Sequence, residues 1–223
     1  MTYRIHKAID ELNKSLLSLV AEVEENVVRV VHTLQNRDPE SALKIIEDDQ
    51  RIDLEEVKLE EECLKTLALY QPVAHDLRFI IAILKINNDL ERINDLAVNI
   101  AERVLFILND PPITIPLDFG LMAEKVQIML RKSINALVEL DRETAKQVCA
   151  ADDEVDDLNR QMYDIIEKRT QADPSSICVL LNYLSVSRHL ERIADLATNI
   201  AEDVMYFIDG EIVRHRRADY DAM

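Results

Sequence analysis

The chain has 223 residues, with 43 Asp and Glu against 26 Lys and Arg and a formal net charge of −17. That balance excludes nucleic acid as a partner, because neutralising phosphates requires a Lys/Arg surface the chain lacks; it favours cations or basic protein patches instead. Only two glycines, no Trp, and long proline-free intervals rich in Leu, Ile, Ala, Glu and Asp make a helical composition.

Six prolines, Pro39, Pro72, Pro111, Pro112, Pro116 and Pro174, fall between periodic stretches and cut the chain into helices. The first is predicted from about Tyr3 to Asn36, with Ile5, Ile9, Leu12, Leu16, Leu19, Val23, Val27, Val30 and Leu34 at three- and four-residue spacing. Asp38-Pro39 supplies an N-cap and a first-position proline for the second, which continues to about Tyr70. Pro72 is expected to open a third that lasts to about Leu108. Asp110 to Leu117, DPPITIPL, is the proline-dense linker and the expected boundary between units 1–112 and 116–223. Asp118 caps a fourth helix to about Leu140 and Asp141 a fifth to about Gln171. Asp173-Pro174 starts a sixth, ending near Gly210 as its C′ glycine. The basic cluster beyond it, Arg214, Arg216 and Arg217, reads as a solvated tail.

The halves match helix for helix, Asp38 with Asp141, Pro72 with Pro174 and Glu91 with Glu191. The expected fold is therefore all-α: six long helices in two tandem three-helix bundles. Helices of this length span roughly 50 Å, so the product should be elongated. Cys63, Cys149 and Cys178 are odd in number, with no CxxC, and are read as small buried hydrophobes in a reducing compartment. No signal peptide is visible and the strongest apolar run, Phe79 to Leu84, is stopped by Lys85, so the expectation is a soluble, intracellular protein with no membrane span.

Thirteen residues recur one hundred positions apart. Leu90 to Glu102 reads LERINDLAVNIAE and Leu190 to Glu202 reads LERIADLATNIAE, identical at eleven positions, whereas the preceding thirteen agree only at Leu84 and Leu184. Packing alone kept the earlier stretch, so the polar positions of the later one are the functional candidates. At 100° per residue, Glu91, Asp95, Asn99 and Glu102 lie within about 80° of one another, opposite Ile93, Leu96, Ala97, Ile100 and Val104. Glu191, Asp195, Asn199 and Glu202 repeat the stripe. A solvated face, with Arg92 and Arg192 relieving Asp95 and Asp195, is the plain alternative for one such helix. Yet the second helix carries Asp49, Asp53, Glu56 and Glu60 on a stripe, and the fifth carries Asp152, Asp156, Asn159 and Tyr163.

Folding back at Pro72 sets Asp53 level with Glu91 and Asp49 level with Asp95; around Asp173, Asp156 comes level with Glu191 and Asp152 with Asp195. Each half can thus gather four carboxylates. Such a set needs a counter-charge, and its oxygens suit Mg, Ca, Mn or Fe, with Zn also compatible.

These residues resemble the PhoU family of phosphate-uptake regulators, through the paired E/D-x-x-x-D within LERI-x-DLA-x-NIAE, together with Gln71-Pro72 and Asp76-Leu77-Arg78. The resemblance covers nearly the whole chain. It implies two three-helix bundles related by a pseudo-twofold, with multinuclear iron or zinc held by Asp49 with Asp53, Glu91 with Asp95, Asp152 with Asp156, and Glu191 with Asp195. Asn99, Glu102, Asn199 and Glu202 are the candidate supporting groups around them. It further implies a negative regulator of phosphate uptake and phosphate-responsive two-component signalling, in the cytoplasm or at the inner face of the membrane. Its partners would be the ATPase subunit of a phosphate ABC transporter and a sensor histidine kinase; a homodimer is compatible with it. Two departures separate the copies: Asn94 stands where the second has Ala194, beside the stripe and expected to alter packing more than ligation, and His189 stands where the first has Asp89, read as a surface or capping group.

Two other readings remain at this level. A metal-independent acidic adaptor would use the same stripes against basic partner surfaces. A carboxylate-metal enzyme of the ferritin-like kind would need Glu-x-x-His, and none of His6, His32, His75, His189 or His215 has Glu three residues earlier; no Gly-rich phosphate loop is present either, so the chain is read as a non-enzyme.

Overall fold

Asp38 accepts backbone hydrogen bonds from Glu40 and Ser41, and Asp141 does the same for Glu143 and Thr144, so two helices start where their capping aspartates stand. The computed structural model of the chain describes residues 2–209, with side chains from Arg4 onward. Its helices are α1 (Thr2–Asn36), α2 (Pro39–Tyr70), α3 (Ala74–Leu108), α4 (Phe119–Glu139), α5 (Arg142–Ala172) and α6 (Ile177–Asp209). Among the described residues there is no strand, and no helix is long and apolar enough to cross a membrane.

Two starts differ from expectation. Gln71 ends α2 in the left-handed conformation (φ 47°, ψ 57°), its N–H returning to the Leu67 carbonyl, and Val73 is extended. The chain reversal therefore occupies Pro72, and α3 begins at Ala74. Ahead of α6, Asp173 accepts from the N–H and hydroxyl of Ser175 at 3.1 and 2.6 Å, capping a short 3-10 turn, Pro174–Ser176, before the α-helix opens at Ile177. Gly210 and the Arg214, Arg216, Arg217 cluster lie outside the described residues.

Helices α1, α2 and α3 form one three-helix bundle and α4, α5 and α6 the other. Helix α3 lies against α6 and α1 against α4, so four helices make a central layer about the pseudo-twofold, with α2 and α5 on its flanks. Apolar stripes at helical spacing meet there in one continuous core that includes Val23, Val27, Ile93, Ile100, Val126, Leu130, Ile193 and Ile200, all fully buried. Each such side chain contributes about 1.5–3 kcal/mol of burial. The partners α3 and α6 run antiparallel: the rings of His75 and Phe79 lie 5.1 and 5.5 Å from Phe207, and Lys85 Nζ lies 3.1 Å from Asp203.

Of the three cysteines only Cys63 is fully buried; Cys149 is half-buried and Cys178, in the open first turn of α6, is exposed. Burial, then the neighbouring Glu62 and Glu60, pushes the Cys63 thiol up to about 12, which makes it inert.

Candidate carboxylate site

Helices α2 and α3 bring Asp49, Asp53, Glu91 and Asp95 within electrostatic reach of one another. Partial burial, then the charges of Asp53 and Asp95, holds Asp49 above the usual carboxylate range. Glu91 is raised by burial, then by Asp95, Asp53 and Asp49, against a lowering pull from Arg92; Asp95 is raised by burial and then Asp53. Glu56 extends the group, raised by burial and then by Glu60, Glu91 and Asp53. In the second half burial, then Asp195, Asp156 and Asp152, raises Glu191, with Arg188 opposing. The height matching read from the turn residues is thus realised in both bundles.

The supporting groups divide. Asn99 and Asn199 join Arg92, Asp95, Leu96, Arg192, Asp195 and Leu196 in lining a groove of about 400 Å³ between α3 and α6. The two quartets therefore abut this central groove through Asp95 and Asp195. Glu102 is exposed and pairs with Arg103 at 3.8 Å, and Glu202 is half-buried; neither is among the charges that act on the quartets. Arg92 reaches back to Asp89 at 3.9 Å.

Asn94 is packed in the interior, as a residue expected to affect packing would be, and it also meets the quartet. It is 1% exposed, and its Nδ2 donates to Asp49 Oδ1 at 2.7 Å, so it touches a quartet carboxylate directly. His189 is half-buried rather than a surface cap; burial first, then Arg192, Arg103 and Arg188, lowers it to about 4. The sequence reading missed a further repeated tie. Asn87 donates to the carbonyl and Oε1 of Glu56 at 3.0 and 2.6 Å, while Ser187 donates to Asn159 Oδ1 at 2.9 Å. A polar residue on the apolar face at the same place in both copies was the available signal.

The donor set is of the kind a hard or borderline cation prefers: all oxygens, drawn from two helices, with Asp49, Glu91, Asp95 and Glu191 raised by partial burial and then by neighbouring carboxylates. Among the described residues, however, no three His, Cys, Asp or Glu side chains converge closely enough to hold one ion as they stand.

Comparison with known proteins follows this architecture. The PhoU domain model matches residues 16–104 and 119–204, one copy in each bundle. A phosphate-specific transport system accessory protein PhoU homolog of Aquifex aeolicus is 37% identical over 213 residues, covering 96% of both chains. The phosphate-specific transport system accessory protein PhoU of Serratia marcescens is 32% identical over 95% of this chain and 87% of its own. Crystal structures of PhoU from Pseudomonas aeruginosa and of the phosphate transport system regulatory protein PhoU from Streptococcus pneumoniae superpose with TM-scores of 0.86 and 0.82, at 32% and 29% identity. The first covers 92% of this chain and 99% of its own, the second 94% and 99%. With its duplicated bundle, its paired acidic stripes and relatives matched along almost their whole length, this chain belongs to the PhoU family.

Proposed function

We propose that this chain is a negative regulator of phosphate uptake and of phosphate-responsive two-component signalling. It acts by contact with the ATPase subunit of a phosphate ABC transporter and with a sensor histidine kinase, at the cytoplasmic face of the membrane. Membership of the family through both bundles carries this reading, since relatives named as accessory proteins of phosphate-specific transport share the whole architecture. The quartets, Asp49, Asp53, Glu91, Asp95 and Asp152, Asp156, Glu191, Asp195, are assigned to cations, with iron or zinc first and Mg, Mn or Ca also suited to the oxygen donors. A bound cation supplies the counter-charge that lets neighbouring helices keep their carboxylates ionised. The side chains bind and position; contact does the signalling.

Complementing a strain that lacks the chain with wild type, or with a variant carrying Ala at Glu91, Asp95, Glu191 and Asp195, tests the reading. Wild type should restore repression of a phosphate-starvation reporter at high phosphate, and the variant should lose both bound metal and repression. Failure of wild type to repress sinks the regulatory role; repression without metal separates the two parts. That no three such side chains converge among the described residues favours one second reading, the metal-independent acidic adaptor. Metal-free protein that binds the ATPase subunit, unaffected by chelation, would establish it.

A further inference from the structure

The face that α2 turns to solvent is apolar along a line. Leu43, Leu54, Val57 and Leu64 are 50%, 65%, 48% and 52% exposed, on the side of the helix away from the buried Ile45, Ile52 and Leu59. With Glu47, Gln50, Glu61 and Ala68, also exposed, they recur at alternating spacings of four and three residues, the heptad seam along which a second helix packs. Scattered apolar side chains on a surface are ordinary, whereas an aligned series marks a surface that something covers.

The other bundle shows that the fold does not require this seam. Matched from the capping aspartates Asp38 and Asp141, the places of Leu43, Leu54, Val57 and Leu64 are held on α5 by Lys146, Asp157, Arg160 and Glu167. Every apolar residue has a charged counterpart, and Asp157 and Arg160 pair with each other on the surface of α5. The seam is an addition to α2 and has no share in the core that both bundles build.

Charge identifies the occupant. Lys44, Arg51, Lys58 and Lys65 stand seven residues apart along one edge of the seam, Asp53 and Glu60 along the other, and Glu47 and Glu61 within it. Arg51 is drawn to Glu22 and Glu55, while the three lysines are exposed. A second copy of α2 fits in neither direction. Antiparallel, it sets like edge against like edge; parallel and in register, it sets Glu47 and Glu61 against their own copies inside the seam. The complementary helix is apolar along its face, basic where it meets Glu47 and Glu61, and acidic along the edge that meets the lysines.

We propose that the outward face of α2 is the docking surface for an amphipathic helix of the transporter's ATPase subunit, with its apolar residues seated on Leu54, Val57 and Leu64 and its basic residues on Glu47 and Glu61. The inference rests on the reading that the chain acts by contact with that subunit. Its consequence is that the two bundles are unequal in partner binding: the first docks through its flank helix and the second does not.

Binding is measured between full-length protein and the assembled phosphate ABC transporter in lipid nanodiscs, with empty nanodiscs as reference. Wild type should bind the loaded discs. Leu54→Asp with Val57→Arg, which gives α2 the pair that α5 carries, should weaken binding roughly 30-fold or more, the loss that follows removal of an interface hot spot. Asp157→Leu with Arg160→Val on α5 should leave binding unmoved. Glu61→Lys should weaken it as well, by a margin that shrinks with added salt. Should the double variant of α2 fail to fold, Glu61→Lys carries the test alone. Variants of α2 that bind like wild type, or an α5 variant that binds as weakly as they do, overturn the inference while leaving contact with the transporter standing. So do equal affinity of wild type for empty and loaded discs, or a wild-type dimer in light scattering that the α2 variant splits, since lipid or a second copy would then be the occupant. Absence of binding to loaded discs defeats the contact reading itself, and the inference with it.

Discussion

Arg131 on α4 places both Nε and Nη2, at 3.2 and 3.0 Å, on a single carboxylate oxygen, Oε2 of Glu24 on α1. This contact crosses between the bundles, and the Glu24 side chain is mostly buried while the guanidinium stays largely in water. Arg131→Ala should cost about 1–2 kcal/mol in urea denaturation, because a buried charged acceptor is left without its donor. Arg131→Lys should cost less without recovering wild-type stability, since an ammonium cannot supply two nitrogens to one oxygen.

Asp53 acts on Asp49, Glu56, Glu91 and Asp95 and is itself exposed. Asp53→Asn should therefore stabilise metal-free protein at neutral pH by about 0.2–0.5 kcal/mol for each like-charge pair one helical turn away, and its melting temperature should rise accordingly. Added salt should shrink the gain. Saturating metal should reverse it, because the variant has one ligand fewer; a variant less stable than wild type without metal would contradict the repulsion described here.

His189 predicts a pH dependence of definite sign. The unfolded chain takes up its proton near 6.5 and the native protein only near 4, so this group contributes stability above about pH 6.5 that is lost as pH falls through the interval toward 4. His189→Asn should flatten that loss. Asp49, Glu91, Asp95 and Glu191 work in the opposite direction: they are raised above ordinary values of 3.8 and 4.5, and acidification through the window just above those values relieves them. Denaturation midpoints at pH 7, 5.5 and 4.5 should thus fall in wild type and fall less, or rise, in His189→Asn.

Leu140 closes α4 in the left-handed conformation (φ 55°, ψ 40°), its N–H donating to the Ala136 carbonyl, with the side chain 46% exposed. A branched side chain there costs about 1–2 kcal/mol of backbone strain, part of which glycine returns as unfolded-chain entropy. Leu140→Gly should stabilise the protein by a net of about 0.5–1 kcal/mol and so raise its thermal midpoint, and an unchanged or lower midpoint would show that the apolar contact of Leu140 outweighs its strain.

Helix number and most boundaries were legible because capping is local: Asp38, Asp118 and Asp141 each hold the first turn of their helix with their own oxygens. Pro72 misled because the same residue type serves a helix's first turn and an extended reversal, and the left-handed Gln71 before it decides between them. The quartets were legible because hairpin register is arithmetic on residue numbers. Asn94 was not. A helical wheel gives the angle of a side chain on its own helix and says nothing of which helices cover that angle; α3 is covered by α1, α2 and α6 at once, so a position beside a solvated stripe is sealed at their junction. His189 escaped for the same reason, since Arg103 reaches it from α3.

The continuous core and the linker between Leu108 and Phe119 together make this protein a dimer written as one chain. Two separate copies of a half would find each other by diffusion and would have to be identical; tethered, each half has its partner at a fixed high effective concentration and never exchanges it. Identity is then no longer required of the two sides. One bundle can keep Asn26 and Asn94 while the other holds Met129 and Ala194, and one can carry Asp89 where the other carries His189, without any mispaired assembly to guard against. Joined in one chain, the two halves make an object with a left and a right.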